Sequence, residues 1–420
     1  MAIISDTHFG DPLSAMARRD KKSGRIVPGS LYAAFRDALV ETLGKNIDFL
    51  VLLGDIFDFS VTHYAESFAV GQFFFQQIRQ DKLAREMIYL PGNHDFDLWH
   101  TVEYQVNIIH QLERHRLPAS FRMSVPGVLD ARPGRKKYAI PGVTAANRRS
   151  GSGYGGLFLD RITSPATRFN FNFPNLYLLT DSETILLTHG QYFEAYWSLM
   201  AEQALALASP DLKKNGTRLP LSLTDRLAIN FPLSQLACSG TGQAGPLSQL
   251  IRELQQEIRD RQTDRVARYM RRFAQSITAG CRFPLNVLFS LAYHLVRKSF
   301  LSSIGRIEVA RFDEAFTNRP EVRRRFSDFF NSSLQEIDNL NTTFNLDIPF
   351  PTAVIFGHTH QPISWQDAAA PSRSIRGRNV RLYNSGGWLE QGDRQDLGAF
   401  SGAEIFFLSP DQGFFSRRIV

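Results

Sequence analysis

The stretch Val51-Leu52-Leu53-Gly54-Asp55-Ile56-Phe57-Asp58 decides how this chain is organised. Apolar residues from Phe49 to Leu53 predict a β-strand that is covered on both faces, as strands of a parallel sheet are. The strand ends at Gly54 and places the carboxylate of Asp55 directly beyond it. Open α/β sheets carry their chemistry just beyond such strand ends. An aspartate in this place is more commonly a turn or a helix cap, so its function depends on what the rest of the chain brings to the same edge.

Four further short motifs also follow apolar runs. They are, in chain order, Ile3-Ile4-Ser5-Asp6-Thr7-His8, Ile88-Tyr89-Leu90-Pro91-Gly92-Asn93-His94-Asp95, Ile185-Leu186-Leu187-Thr188-His189-Gly190 and Val354-Ile355-Phe356-Gly357-His358-Thr359-His360. Each motif sets Asp, Asn or His at the end of a predicted strand. A single D-x-H pair carries no information in a chain of this length, but the ordered set of five motifs is specific.

The side chains of these motifs suit a pair of metal ions. They offer four imidazoles, two carboxylates and one amide oxygen, from Asp6, His8, Asp55, Asn93, His189, His358 and His360. Mixed nitrogen and oxygen sets suit Mn²⁺, Fe or Zn²⁺ and argue against Cu(I) and iron–sulfur chemistry. Seven side chains exceed the needs of one ion with an open coordination position, and they match two ions that share a bridging carboxylate. Two metals about 3.5–4 Å apart can hold a hydroxide nucleophile between them and clamp both oxygens of an in-line phosphoryl displacement.

The motif order D-x-H, G-D-x-x-D, G-N-H-D, H-G and G-H-x-H resembles the calcineurin-like metallophosphoesterase superfamily, over residues 1–190 and 350–390. The resemblance implies a four-layer α/β/β/α sandwich. It also implies two ion sites that share Asp55 as a bridge, one formed by Asp6, His8 and His360 and the other by Asn93, His189 and His358.

The same resemblance implies roles for residues around the ions. His94 is expected beside the leaving-group oxygen as general acid, with Asp95 orienting its ring. Asp58 is expected to fix the imidazole of a metal ligand, since carboxylates commonly accept the second ring N–H of such histidines. Asn384 belongs to Tyr383-Asn384-Ser385-Gly386-Gly387-Trp388, which resembles an N-x-G-x-W stretch of several members. A tight turn is the default interpretation of this stretch, and contact of Asn384 and its neighbouring amides with the substrate phosphate is the functional hypothesis.

The first hundred residues predict stacked βαβ units. Strands are expected at 49–53 and 87–90, with amphipathic helices at 31–43 and 66–79, and residues 10–30 are expected to form a long active-site loop. Later strands are predicted at 137–141, 175–180, 183–188, 352–356, 379–383, 403–408 and 413–419.

The composition indicates a folded chain with more than one core. Its 420 residues, 43% of them hydrophobic, predict one large domain with an insertion, or two domains. Cys238 and Cys281 show no disulfide or zinc-binding pattern, which fits a reducing, cytoplasmic compartment. Because a strand follows Met1 at once, we expect no signal peptide. The longest apolar stretch, 283–296, is too short to span a bilayer and leaves peripheral membrane contact open.

About 170 residues separate the fourth motif from the fifth, far more than a connecting loop requires. We assign residues 200–345 to an inserted helical cap, and 1–199 and 346–420 to the catalytic domain. Between 201 and 345, 20 Lys and Arg stand against 14 Asp and Glu, a net charge of +6 out of +7 for the chain. The inserted segment is therefore the basic part of the molecule.

Three helices are predicted in the insertion, at 247–277, 285–301 and 321–340. Arg265 and Arg268 lie on the first, where a solvated face is the default interpretation and contact with the anionic part of the substrate is the functional hypothesis. The second helix is strongly apolar.

These features favour hydrolysis of a phosphodiester or pyrophosphate bond in a small or lipid-linked substrate, because an apolar helix near arginines suits an acyl chain that ends in a phosphate. We expect Mn²⁺ as the best activator. UDP-2,3-diacylglucosamine pyrophosphatases of the superfamily carry such a cap, although they show G-N-R-D where this chain has Gly92-Asn93-His94-Asp95.

The alternative function is a metal-dependent nuclease acting on DNA or RNA, since repair nucleases of the superfamily also show G-N-H-D. A net charge of +7 is mild for that role. A protein phosphatase ranks lower, because that class shows G-N-H-E where Asp95 stands here.

Overall fold

The computed structural model describes residues 1–20, 22–118, 120–132, 138–144, 158–163, 169–198, 201–202, 221–235, 238, 268, 316–390, 402–409 and 411–420. The chain divides into two compact units, the first formed by Met1–Gln243 with Phe312–Val420 and the second by Ala244–Arg311. Of the second unit, Arg268 alone is described. The helices predicted at 247–277 and 285–301 therefore lie outside the described residues.

Two seven-stranded sheets occupy the centre of the described part of the first unit. From edge to edge, the first sheet consists of Gly413–Ile419, Ala403–Ser409, Ala2–Ile4, Ile47–Leu53, Ala84–Leu90, Phe169–Phe171 and Val143–Thr144. The second consists of Ser372–Ile375, Arg378–Asn384, Ala353–Phe356, Thr184–Thr188, Asn175–Leu179, Gly127–Asp130 and Tyr138–Ile140. Every strand predicted from the sequence is confirmed, with ends that differ by at most three residues.

The central strands of each sheet run parallel. Ile47–Leu53 is parallel to both of its neighbours in the first sheet, and Ala353–Phe356 is parallel to both of its neighbours in the second. The carboxyl ends of parallel strands lie on the same side of a sheet, and open α/β sheets place their sites just beyond these ends. The five motifs therefore follow strands that deliver them to one end of each sheet.

The two sheets pack face to face through alternate side chains. Val51 and Ile88 of the first sheet share one buried cluster with Leu178 and Leu187 of the second. Burying such side chains contributes about 1.5–3 kcal/mol each. Between the leucines of its strand, Tyr177 points to the opposite face, where its hydroxyl oxygen lies 3.1 Å from the Ser333 carbonyl oxygen. The period of two that predicts strands thus also separates the inner and outer faces.

Helices cover the outer faces of the sandwich. Tyr32–Leu43 and Tyr64–Gln80 lie on the first sheet, joined by the contact of Phe35 with Phe74 at 6.2 Å between ring centroids. Pro320–Phe344 lies on the second sheet. The predicted four-layer α/β/β/α sandwich is confirmed.

The described residues contain further helices. They are Asp97–Glu103, a π-helical continuation Tyr104–Ile109, His110–Glu113, Phe158–Thr163 and Leu223–Gln235, with 3₁₀ turns at Gln191–Phe193 and Phe316–Asn318. No helix of the described residues is long and apolar enough to cross a membrane.

Residues 10–30 differ from the predicted loop. Ala17–Arg19 and Ile26–Pro28 pair as an antiparallel β-hairpin. Arg19 forms an ion pair with Glu66 at 2.7 Å, and Arg18 forms one with Glu390. Carboxylates distant in sequence therefore hold the basic residues in place, which local sequence does not reveal.

Two helices within residues 200–345 lie in the first unit, and one of them, Leu223–Gln235, was not predicted. Leu223–Gln235 contacts Pro320–Phe344, where Arg226 Nε donates to Ser332 Oγ at 2.9 Å. The helix predicted at 321–340 is confirmed and is longer by one residue at its start and four at its end. The domain boundaries at 200 and 345 stay a prediction.

Candidate metal centre

The seven predicted ligands lie together beyond the strand ends that carry the five motifs. Within each of two groups, one ligand atom of every residue lies within 4.8 Å of the others: Asp6, His8 and His360 in the first, and Asp55, His189 and His358 in the second. Asn93 joins the second group, because its Oδ1 lies 2.8 Å from His358 Nδ1 and 3.1 Å from His189 Nε2. All seven side chains are buried except that of His360, which is 17% exposed.

Asp55 faces both groups. Its carboxylate lies 3.0 Å from His189 Nε2 and forms a further potential ligand group with His8 and His94. The backbone N–H of His94 donates to Asp55 Oδ1 at 2.7 Å. Burial alone would raise the pKa of Asp55, but His189 and His94 hold it well below its usual range. The carboxylate is therefore ionised and central.

Oxygen atoms outside the two groups fix the orientation of three imidazoles. They are Asp58 Oδ2 at 3.0 Å from His8 Nδ1, the Leu53 carbonyl at 2.9 Å from His189 Nδ1, and Glu194 Oε2 at 2.9 Å from His358 Nε2. Carboxylate and carbonyl oxygens only accept, so the outer ring nitrogen carries the proton. The inner nitrogen of each ring then directs its lone pair into the group, as a metal ligand must.

The nitrogen and oxygen atoms that face into the two groups lie so close together that their lone pairs would repel one another. His8 Nε2 is 3.1 Å from His360 Nε2, and His189 Nε2 is 3.0 Å from the Asp55 carboxylate. Such contacts need a proton or a metal cation among them. Burial works to lower the pKa of His189, yet Asp55 raises it to about 9. The residues present therefore attract positive charge, and the donor set fits divalent ions.

Backbone strain is concentrated at the same residues. Five of the seven predicted ligands have left-handed φ angles between +48° and +66°: Asp6, His8, Asp55, His358 and His360. Residues other than glycine rarely adopt this conformation, which costs about 1–3 kcal/mol each. Such strain typically persists at functional sites, where the surrounding structure enforces it.

Close approach explains the glycine that ends the central strand. Gly54 has a φ of +85°, and a methyl group there would overlap the imidazole of His189. Only glycine combines this backbone with so near a neighbour. The glycine that sequence analysis treats as a strand end is thus also a packing requirement of the site.

His94 lies at the mouth of the site with its side chain 30% exposed. Its Nδ1 is 3.0 Å from Asp58 Oδ1 and 2.7 Å from Ser60 Oγ. Burial works to lower the pKa of His94, but Asp58 and Asp55 raise it above its ordinary value. The ring is therefore held in a place that favours its protonated form.

Asp95 does not orient His94, contrary to the prediction, because its carboxylate points to the backbone of the neighbouring turn. It accepts the N–H groups of Gly92 at 2.6 Å and Ile56 at 2.8 Å, and the hydroxyl of Tyr89. Burial and the charge of Asp55 raise the pKa of Asp95 to about 6. Asp95 braces two motif turns against each other, and Asp58 takes the position beside His94.

Asn384 also differs from the prediction of a substrate contact. Its side chain is buried, and its Nδ2 donates to the Gly357 carbonyl at 2.7 Å and to Thr359 Oγ1 at 3.0 Å. The amides that follow donate within the chain, Ser385 to the Phe356 carbonyl at 2.9 Å and Trp388 to the Asp6 carbonyl at 3.0 Å. These groups hold the loops of the first and fifth motifs and are not available to a phosphate.

The predicted substrate-binding arginines lie in the second unit. Arg265 is outside the described residues, and Arg268 is exposed on a helix. Two residues that contact the site were not predicted, namely Ser60 and Glu194. Neither belongs to a motif, and no periodicity in a single sequence marks them.

Comparison with known proteins agrees with this geometry. The profile of the calcineurin-like phosphoesterase family matches residues 1–213, just over half of the 420 residues. No curated protein matches the chain. The match spans the first four motifs, while His358 and His360 lie beyond it and are brought to the site by the second sheet. The chain belongs to the calcineurin-like phosphoesterase family, and the class of reaction is phosphoester hydrolysis.

Proposed function

We propose that the protein hydrolyses a phosphodiester or pyrophosphate bond in a small or lipid-linked substrate, with two divalent transition-metal ions. The observation that carries this proposal is the meeting of two ligand groups at one ionised carboxylate, Asp55. A bridging carboxylate between two sets of nitrogen and oxygen donors is what a dinuclear phosphoesterase requires.

In this proposal, Asp6, His8 and His360 would hold one ion, Asn93, His189 and His358 would hold the other, and Asp55 would serve both. When bound, the ions supply an activated water and offset the negative charge that develops on the phosphoryl group. Mn²⁺ is the expected activator, with Fe or Zn²⁺ as alternatives for the same donors.

His94 is the proton donor to the leaving-group oxygen. Asp58 and Ser60 engage its Nδ1, so the proton that moves is the one on Nε2. Against the effect of burial, Asp58 acts to raise the pKa of His94, which favours the protonated ring that a proton donor needs. Asp58 positions His8 and His94 together, since each of its oxygens faces one of them.

Substrate preference is assigned to the inserted segment. We keep the predicted cap at 200–345, with Arg265 and Arg268 meeting the anionic part of the substrate. Leu223–Gln235 and Pro320–Phe344 support the catalytic end from within the first unit. A cytoplasmic location completes the proposal, and peripheral membrane contact stays open.

A substrate panel tests the proposal. Metal-loaded wild type is assayed on bis(4-nitrophenyl) phosphate, a lipid-linked diphosphate, a nucleotide diphosphate ester, DNA and RNA. Asp55→Asn removes the bridging charge, and Asp37→Asn, an exposed aspartate paired with Arg36, is the matched control. We expect hydrolysis of diesters or pyrophosphates that Asp55→Asn abolishes and Asp37→Asn retains.

Other results reject parts of this function. Cleavage of nucleic acid alone, with a steep dependence on salt, replaces it with the nuclease alternative. No phosphoester hydrolysis with any substrate, or full activity of Asp55→Asn, contradicts the proposed site.

A further inference from the structure

We propose that Glu194 is a positioning residue that sets the affinity of one of the two ions by orienting His358. This inference rests on the proposed function, because it concerns the ion assigned to Asn93, His189 and His358. Glu194 lies in no motif, and its role follows from three features of its surroundings.

The first feature is the direction of the His358 ring. Its Nε2 lies 2.9 Å from Glu194 Oε2, and its Nδ1 lies 2.8 Å from Asn93 Oδ1 in the ligand group. The two ring nitrogens point to different sides, so a proton held on Nε2 by Glu194 leaves the lone pair of Nδ1 for the ion. Carboxylates that accept this proton also make the imidazole a more basic ligand.

The second feature is the rigid base from which Glu194 reaches His358. The residue directly follows the 3₁₀ turn Gln191–Phe193, and its backbone N–H donates to the Gln191 carbonyl at 3.1 Å. Phe193 is buried, with ring centroids of Phe326 at 5.3 Å and Phe356 at 5.5 Å. These contacts fix the backbone position from which the carboxylate reaches His358.

The third feature is the correspondence with Asp58. Asp58 holds the outer nitrogen of His8 at 3.0 Å, as Glu194 holds that of His358 at 2.9 Å. His189 has a backbone carbonyl, that of Leu53, in the same position. One carboxylate therefore stands behind each proposed ion, and replacing Glu194 should affect one ion selectively.

Binding of Mn²⁺ to metal-free protein tests this role without an activity assay. Titration calorimetry, with electron paramagnetic resonance of free Mn²⁺ as a second readout, resolves two binding events. Removal of such a carboxylate typically weakens a metal site about 10–100-fold. We expect Glu194→Gln, which keeps the shape and one acceptor oxygen, to weaken one event about tenfold, and Glu194→Ala to weaken it toward 100-fold. The other event should stay unchanged.

Glu202→Gln is the matched control, because it removes a carboxylate nearby in the sequence that pairs with Arg324 and Arg325 at 2.8 Å. It should bind both ions as the wild type does. Thermal unfolding of the metal-free proteins checks the fold, and if Glu194→Ala does not fold, the isosteric Glu194→Gln decides the question.

Wild-type affinity of Glu194→Gln for both ions, or equal weakening of both, overturns the inference and leaves the proposed function standing. A wild-type protein that binds fewer than two ions contradicts the proposed function itself, whatever the variants do.

Discussion

Asp58 serves two histidines with different proposed roles. One of its oxygens lies 3.0 Å from His8 Nδ1 and the other 3.0 Å from His94 Nδ1. Burial would raise the pKa of Asp58, but His94 and His8 hold it well below its usual range. A single ionised carboxylate thus ties the geometry of a metal ligand to that of the proton donor.

His94→Ala should retain the metal ions and lose roughly 10²–10⁴ in kcat, the usual contribution of a positioned acid. The loss should be much smaller for nitrophenyl esters, because nitrophenolate leaves without a proton. Steady-state kinetics on an alkyl and a nitrophenyl diester measure this difference. His115→Ala, at an exposed histidine, is the control. An equal loss on both esters shows that His94 is not the acid.

Gly54→Ala should destabilise the protein more than Gly44→Ala. Both glycines have positive φ angles, +85° and +74°, but only Gly54 has a neighbour, His189, in the path of a new methyl group. Backbone strain costs about 1–3 kcal/mol at either position, and overlap at Gly54 adds about 1–3 kcal/mol. Urea unfolding measures the difference. Equal losses would mean that crowding against His189 is unimportant.

Short sequence motifs predict the residues that meet at the site better than they predict the residues that orient them. Asp6 and His360 are predicted because each ends an apolar run within a specific string. Glu194 and Ser60 depend on how distant turns meet, which no local pattern encodes. Asp95 has the right neighbours in sequence, but its side chain points to backbone N–H groups instead of to His94.

At the scale of elements, the helix Pro320–Phe344 is joined to the second sheet by a buried polar network. Glu336 accepts hydrogen bonds from Ser124 Oγ at 2.6 Å, Tyr177 OH at 2.8 Å and Asn175 Nδ2 at 3.1 Å. Burial raises the pKa of Glu336 above its ordinary value of 4.5, against the effect of these donors. Its protonated form is therefore favoured more in the folded than in the unfolded protein.

Comparison of the wild type with Glu336→Gln should reveal this shift. A raised folded pKa contributes stability that is complete below the unfolded pKa and is lost as pH rises through the folded pKa. The unfolding free energy of the wild type relative to Glu336→Gln should thus be highest at acid pH and fall toward neutral pH. Urea unfolding across this range measures it. A difference that is constant or that rises with pH contradicts the raised pKa.

Elements with a clear apolar period are predicted well. The strand Gly413–Ile419 begins and ends where predicted, and Tyr32–Leu43 begins one residue later. The hairpin Ala17–Arg19 with Ile26–Pro28 is missed because each strand has only 3 residues, too few to show a period, and ion pairs with Glu66 and Glu390 hold it. Contacts between distant parts of the chain, and not local preference, stabilise this element.

At the scale of the whole molecule, the division into two units indicates which part of the insertion is separable. Leu223–Gln235 reaches the catalytic end, where Gln235 Nε2 donates to Asp97, and Cys238 Sγ lies 3.0 Å from the His94 carbonyl. Removal of all residues from 200 to 345 would therefore take away supports of the site. Ala244–Arg311 is the part that its own internal contacts set apart.

Replacing Ala244–Arg311 with a flexible Gly/Ser linker should leave metal content and the rate on bis(4-nitrophenyl) phosphate about unchanged. The preferred larger substrate should lose kcat as well as affinity, because binding of remote groups positions the reacting centre. Paired assays on both substrates measure this. The double substitution Arg265→Ala and Arg268→Ala tests the same idea without removing the segment. Unchanged kcat/KM on every substrate in both variants contradicts a substrate-binding insertion.

The measurement that tests the central claim most directly is the metal content of active protein. Elemental analysis of purified chain, combined with hydrolysis of a diester before and after chelation, should find two transition-metal ions per chain. Activity should vanish when the ions are stripped and return with Mn²⁺. The Asp55→Asn variant should bind both ions more weakly, because this carboxylate faces both ligand groups. Full activity with one ion or none per chain would contradict the dinuclear centre.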